Sequence, residues 1–163
     1  MKSLRRIFLF ISLIDFLIRA KQHTYAAQGD EASVSSLLPG SRQLEYHEEP
    51  FFYRDTYFGT RYFVGQETVY HEEQPYWAMS YSGGVESTID NADKIQQVYS
   101  FLRMALRQVS REYIFRGSEW FVDGEYQYEN RSEGMVESFY GTELIRIGDQ
   151  VVYTLRYSGG ILR

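Results

Sequence analysis

Gly65-Gln66-Glu67-Thr68-Val69, followed at residue 77 by Trp77-Ala78-Met79-Ser80-Tyr81-Ser82-Gly83-Gly84, returns later in the chain. The second occurrence is Gly141-Thr142-Glu143-Leu144-Ile145, followed by Tyr153-Thr154-Leu155-Arg156-Tyr157-Ser158-Gly159-Gly160, at a constant spacing of 76 residues (141 against 65). Gln74 recurs as Gln150 and Phe63 as Phe139 at the same spacing. Self-similarity at a fixed interval marks a repeated structural unit. In both copies apolar and polar residues alternate with period two on either side of a turn, at 71–75 and at 148–150, so each copy reads as a β-hairpin. The glycine pairs that close the copies allow positive φ, or a close backbone approach, where the strand stops.

Working outward, a helix is expected between the copies from Ala92 to Val109, with Asp90 or Asn91 capping its first turn and Ile95, Val98, Leu102, Ala105, Leu106 and Val109 as its buried stripe. Another is expected from Leu4 to Lys21, with Ile7, Ile11, Ile14, Leu17 and Ile18 facing the core. Strand-like stretches precede each hairpin, Leu44 to Phe58 and Trp120 to Tyr128, so the repeat extends over 44–85 and 120–161. The segment 31–42 has no counterpart and reads as a loop. One helix and three or four strands per copy imply an α+β fold. It is read as one domain over 1–163: a duplicated helix-plus-antiparallel-strands unit with two helices packed on a curved antiparallel sheet, leaving a groove for a ligand between helices and strands.

Composition narrows the function. The 163 residues fill one ordinary core, and aromatic residues, 17% of the chain, favour sheet. The chain has no cysteine, which removes disulfides, thiolate catalysis, zinc-thiolate and iron–sulfur sites. A formal charge of −5 argues against direct contact with nucleic acid, whose phosphates call for clustered Lys and Arg. His23, His47 and His71 show no metal-ligand spacing, and no nucleophile elbow, phosphate loop or dinucleotide-binding glycine pattern is present, so no metal or cofactor is assigned.

Glu67 and Glu143 are the most informative polar residues, because alternation places each on an apolar face. A carboxylate there must be paired, hydrogen-bonded or neutralised. It is either a ligand-binding or acid/base group or a structural carboxylate, and its presence in both copies favours the structural reading. Asp55 shares a face with Tyr53 and Tyr57, and at the repeat spacing its counterpart is Arg131, so it either breaks the symmetry as a ligand site would or is an ordinary surface Asp. Arg19, Lys21, Thr24 and Tyr25, at the end of the first helix, offer cations and hydroxyls to an anion, or simply a solvated basic helix end. The ligand-binding candidates are therefore Arg19, Lys21, Tyr25 and Asp55, together with Tyr57, Glu67, Trp77 and Tyr81; no catalytic residue is assigned.

Phe16-Leu17-Ile18-Arg19-Ala20-Lys21, Thr24-Tyr25-Ala26, Ser41 with Leu44-Glu45-Tyr46, and Asp55-Thr56-Tyr57-Phe58-Gly59 carry a family resemblance. Phe63-x-Gly65-x-Glu67-x-Val69, Trp77-x-Met79-x-Tyr81, Arg116-Gly117 and Gly141-x-Glu143 continue it. From about Asp15 to the C-terminus the chain resembles the prokaryotic family named domain of unknown function 5680 (DUF5680). The resemblance implies no established activity, but it implies members that occur alone or behind a helix-turn-helix segment of transcription regulators; no such segment is read in this chain. The family pattern usually ends in Tyr-x-Gly, and here Tyr81-Ser82-Gly83-Gly84 stands instead. The expected function is a binding module for a small molecule or protein partner, linked to transcriptional regulation, without membrane contact and in the cytoplasm. The alternatives are an enzyme using Glu67 or Asp55 as acid or base and, since Lys2, Arg5 and Arg6 precede an apolar run, a secreted protein whose residues 1–26 form a signal peptide.

Overall fold

The computed structural model describes residues 2–24, 26 and 33–162, the side chains of 2–8 and 10 excepted. The elements are α1 (Lys2–His23), β1 (Ser33–Val34), β2 (Arg42–Glu48), β3 (Phe51–Gly59), β4 (Tyr62–His71), β5 (Gln74–Val85), α2 (Ala92–Leu106), β6 (Trp120–Asp123), β7 (Tyr126–Met135), β8 (Ser138–Ile147) and β9 (Gln150–Ile161). The nine strands form one antiparallel sheet in the order β1-β2-β3-β4-β5-β9-β8-β7-β6. Two helices on an antiparallel sheet make the fold α+β. No helix among the described residues is long and apolar enough to cross a membrane.

The sequence alternation becomes burial. Tyr53 and Asp55 on β3, Glu67 and Val69 on β4, and Trp77, Met79 and Tyr81 on β5 all point to the inner face and are buried. Both helices pack on that face. Phe16 of α1 lies against Phe51 with ring centroids 5.1 Å apart, and Phe101 of α2 lies against Phe121 at 5.6 Å. Asn91 caps α2 by accepting from the Lys94 N–H.

Several local expectations change. Leu44 to Phe58 is a hairpin of two strands joined at Glu49-Pro50, and Trp120 to Tyr128 spans β6 and the start of β7. The turn expected over five residues at 71–75 is made by Glu72 and Glu73 alone, both with positive φ (49° and 63°). Helix α2 ends at Leu106, three residues before Val109, although Val109 is still buried. The core stripe of α1 is Leu13, Phe16, Leu17 and Ala20, whereas Ile11 is 45% exposed. The run from Ile7 to Ile18 is apolar on almost every side, so periodicity alone could not choose between the two faces. The glycine pairs do not end strands: β5 and β9 continue to Val85 and Ile161 and pair through them. A Cβ on Gly83 would come within 2.5 Å of Leu155 Cα across that pair, so close approach is the reason for glycine there.

The hairpins β4–β5 and β8–β9 pair in matching registers. Gly65 faces Tyr81, Glu67 faces Met79, and the register slips after Val69; Gly141 faces Tyr157, Glu143 faces Leu155, and the slip follows Ile145. Tyr81 and Tyr157 are themselves partners at the centre of the sheet.

Candidate functional site

The strand registers bring Asp55 of β3 directly opposite Glu67 of β4, both on the inner face and 2% and 0% exposed. Tyr81 sits on the next strand opposite Gly65, and its hydroxyl donates to Asp55 Oδ1 at 2.6 Å. That reach requires glycine at 65, because a Cβ there would stand 2.4 Å from the Tyr81 hydroxyl oxygen. From above, the last turn of α1 lowers Lys21 onto the pair. Its Nζ donates to Glu67 Oε2 at 2.5 Å and to the Phe115 carbonyl at 2.9 Å, and lies 5.7 Å from the Trp77 ring centroid. Lys21 has no exposed surface. Among the described residues, Glu67 Oε1 is buried without a hydrogen-bond partner.

The second half of the sheet presents a related arrangement with all its bonds made. Arg116 grips Glu143 through Nε at 3.0 Å and Nη2 at 2.7 Å, while the hydroxyls of Tyr128 and Tyr153 each donate to Glu143 at 2.8 Å. Tyr157 crosses Gly141 and donates to Asn130 Oδ1 at 2.7 Å, as Tyr81 crosses Gly65 to Asp55. Asn130 is the residue opposite Glu143, so it, and not Arg131, occupies the place of Asp55. The spacing of 76 residues fails upstream of Phe139 because four residues separate the pair Gly134 and Phe139, where three separate Gly59 and Phe63.

These surroundings set the charge states. Burial, then the neighbouring Glu67 charge, push the Asp55 carboxyl up to about 7, against the opposing effects of the Tyr81 hydrogen bond, Lys21 and Arg116. Burial pulls Lys21 below the usual lysine range, with Glu67 acting in the other direction. Burial, together with Asp55, raises Tyr81 well above the usual phenol range, so its hydroxyl stays protonated and donates. The cluster can therefore hold or release a proton near neutrality, and it ties the end of α1 to the middle of the sheet by one charged contact.

Of the candidates named from sequence, Lys21, Asp55, Glu67, Trp77 and Tyr81 come together. Tyr57 is half-buried beside Phe63, ring centroids 6.4 Å apart. Arg19 points elsewhere, pairing with Glu48 through Nε at 2.8 Å and Nη2 at 2.6 Å. Tyr25 lies outside the described residues. Sequence reasoning assigned no role to Arg116, whose Cζ lies 6.0 Å from the Tyr81 ring and so stands between the two carboxylate centres. The signal for it was the pair Arg116-Gly117 in a chain where a buried Glu143 needed a cation. No group of His, Asp and Glu among the described residues is arranged to hold a metal ion.

A protein-family model described as Domain of unknown function (DUF5680) matches residues 55–162. The chain belongs to this family. The matched span begins at Asp55 and contains Glu67, Tyr81, Arg116 and Glu143, whereas Lys21 and the resemblance noted over residues 15–54 fall before it. No curated protein and no solved structure matches the chain.

Proposed function

We infer that this domain is a binding module, a sensor of a small molecule or partner linked to transcriptional regulation, in which the state of the sheet centre is passed to helix α1. The observation that carries this reading is the Lys21–Glu67 contact: a buried ion pair with an unpartnered carboxylate oxygen, joining the helix to the sheet beside an Asp poised near neutrality. Buried ion pairs contribute little net stability, so a role in setting or switching an arrangement is the better explanation for one. The matching registers of the two hairpins support reading the chain as a duplicated unit, with the first copy altered for this task. The cytoplasm is the compartment in which a regulator's sensing unit would work.

A thermal-shift screen across nucleotides, sugars, amino acids and phosphorylated metabolites tests the reading, since a ligand of the folded state raises its melting temperature. The double variant Lys21→Met with Glu67→Leu is expected to stay folded, while ligand-dependent hydrogen-exchange protection of α1 disappears. Unchanged protection of α1 in the variant would refute the link. The enzymatic alternative draws support from Asp55, whose pKa suits acid–base work. Against it stands the near-complete burial of Asp55 and Glu67, which leaves a substrate no path to either group without opening the helix.

A further inference from the structure

The outer face of the sheet, opposite the helices, holds a groove of about 690 Å³ over β3, β4, β5 and β9, within the size range of metabolite sites. Its floor is a polar row set by the strand registers: Thr56 faces Gln66, Gln66 faces Ser80, and Ser80 faces Ser158. Gln66 Nε2 already donates to Thr68 at 3.1 Å, so part of this row is held in place. One side is apolar, with Phe58 opposite Val64, respectively 45% and 52% exposed.

A solvated β-face carries Ser and Thr as a matter of course, but the charge here departs from that expectation. The chain has a net charge of −5, yet among the described residues the charged side chains lining the groove are two arginines and no carboxylate. They occupy opposite sides, Arg54 on β3 and Arg156 on β9, three strand spacings apart across the sheet and four residues apart along it, roughly 20 Å in all. Arg54 is fixed by Glu45, 2.9 Å from its Nε, and its guanidinium lies 5.0 Å from the Phe52 ring centroid. Arg156 is exposed and has neither a hydrogen bond nor an ion pair from its guanidinium among the described residues. A planar, permanently charged fork without a partner suits a phosphate or carboxylate.

We propose that this groove binds a small hydroxylated organic anion, of the size of a sugar phosphate or sugar acid. Arg156 takes the anionic group, the row from Thr56 to Ser158 takes the hydroxyls, and Phe58 with Val64 packs against the carbon skeleton. The proposal rests on the binding-module reading and supplies its ligand class. The groove lies back to back with the buried cluster, since Thr56 and Gln66 are the chain neighbours of Asp55 and Glu67, so an occupant would press on the strands that carry both carboxylates.

Isothermal titration calorimetry of the full chain with fructose bisphosphate, gluconate, fructose and inorganic phosphate tests the site, alongside the variants Arg156→Gln and Ser80→Leu. Both positions are exposed, so the fold is expected to survive, which circular dichroism checks. At least one of the two hydroxylated anions is expected to bind at millimolar concentration or below, with fructose and inorganic phosphate about tenfold weaker or more, and each substitution weakening the bound anion by about tenfold or more. The one that binds distinguishes phosphate from carboxylate as the anionic group. Absence of binding by both, or equal binding of inorganic phosphate, overturns the proposal. Binding that survives both substitutions also overturns it while leaving the binding-module reading in place; binding lost in both variants without any protection of α1 in the wild type upholds the groove and refutes the sensing link.

Discussion

Replacing Asp55 with asparagine isolates the energetics of the buried carboxyl, because the second half of the sheet already demonstrates that asparagine fits. Asn130 Oδ1 accepts from Tyr157 as Asp55 Oδ1 accepts from Tyr81, at 2.7 and 2.6 Å, so the substitution keeps the phenol's partner and removes only the ionisable group. The folded-state pKa of Asp55 is raised to about 7 from 3.8, so between those values the folded chain holds a proton that the unfolded chain has released. Stability must then fall as pH rises through this window, and the loss is complete above about pH 7. A rise of about three pH units at about 1.4 kcal/mol per unit corresponds to about 4 kcal/mol.

Asp55→Asn should therefore be close to neutral near pH 4 and stabilising by roughly 2–4 kcal/mol near pH 8, the lower end allowing for relaxation around the charge. Urea unfolding of both proteins across that range, followed by intrinsic fluorescence, measures the difference directly. Comparison with the wild type at each pH cancels the contributions of groups that shift the other way, such as Glu48, whose pKa is lowered by its bond to Arg19. A gap independent of pH, or a variant less stable than the wild type near pH 8, would refute the reasoning.

The two glutamates should respond differently to Gln. Glu143→Gln leaves Arg116, which cannot lose its proton, facing a neutral group, and is expected to cost about 3–5 kcal/mol; Glu67→Gln leaves Lys21, whose pKa burial lowers and which can shed its proton once the opposing charge is gone, and should cost roughly 1–3 kcal/mol in the same unfolding assay. Gly65→Ala and Gly141→Ala both push a methyl group into a crossing tyrosine, at 2.4 and 2.3 Å from the nearest ring or hydroxyl atom, and should each lower stability by roughly 1–3 kcal/mol, read as a lower melting temperature.

The sequence made the sheet legible because its signal is local. Alternation needs only neighbouring residues, so the inward set of Glu67, Trp77, Met79 and Tyr81 could be named, and the burial of Glu67 and Glu143 followed from their place on an apolar face, whereas Asp55 read equally as a surface residue and is buried. The partners of those carboxylates depend on contacts far along the chain. Lys21 is 46 residues from Glu67, and Arg116 reaches Glu143 from an irregular connection whose path no periodicity describes. The counterpart of Asp55 lies one residue from the expected Arg131, at Asn130, for a related reason. Turn length sets register, and the two turns differ in length where the repeat is weakest.

The differences between the two carboxylate centres all run in one direction. Where the second has Arg116, which keeps its charge, the first has Lys21, whose proton burial loosens. Where the second has Asn130, the first has Asp55, which titrates near neutrality. Where Tyr153 donates to Glu143, the first centre has Trp77, whose indole N–H is turned to the Val136 carbonyl at 3.1 Å, and one oxygen of Glu67 is left without a partner. The same frame accommodates the fully bonded set, so folding does not demand the looser one. A centre built from groups that can gain or lose a proton, at the point where a helix is fastened to the sheet, is better suited to changing state than to holding the fold together.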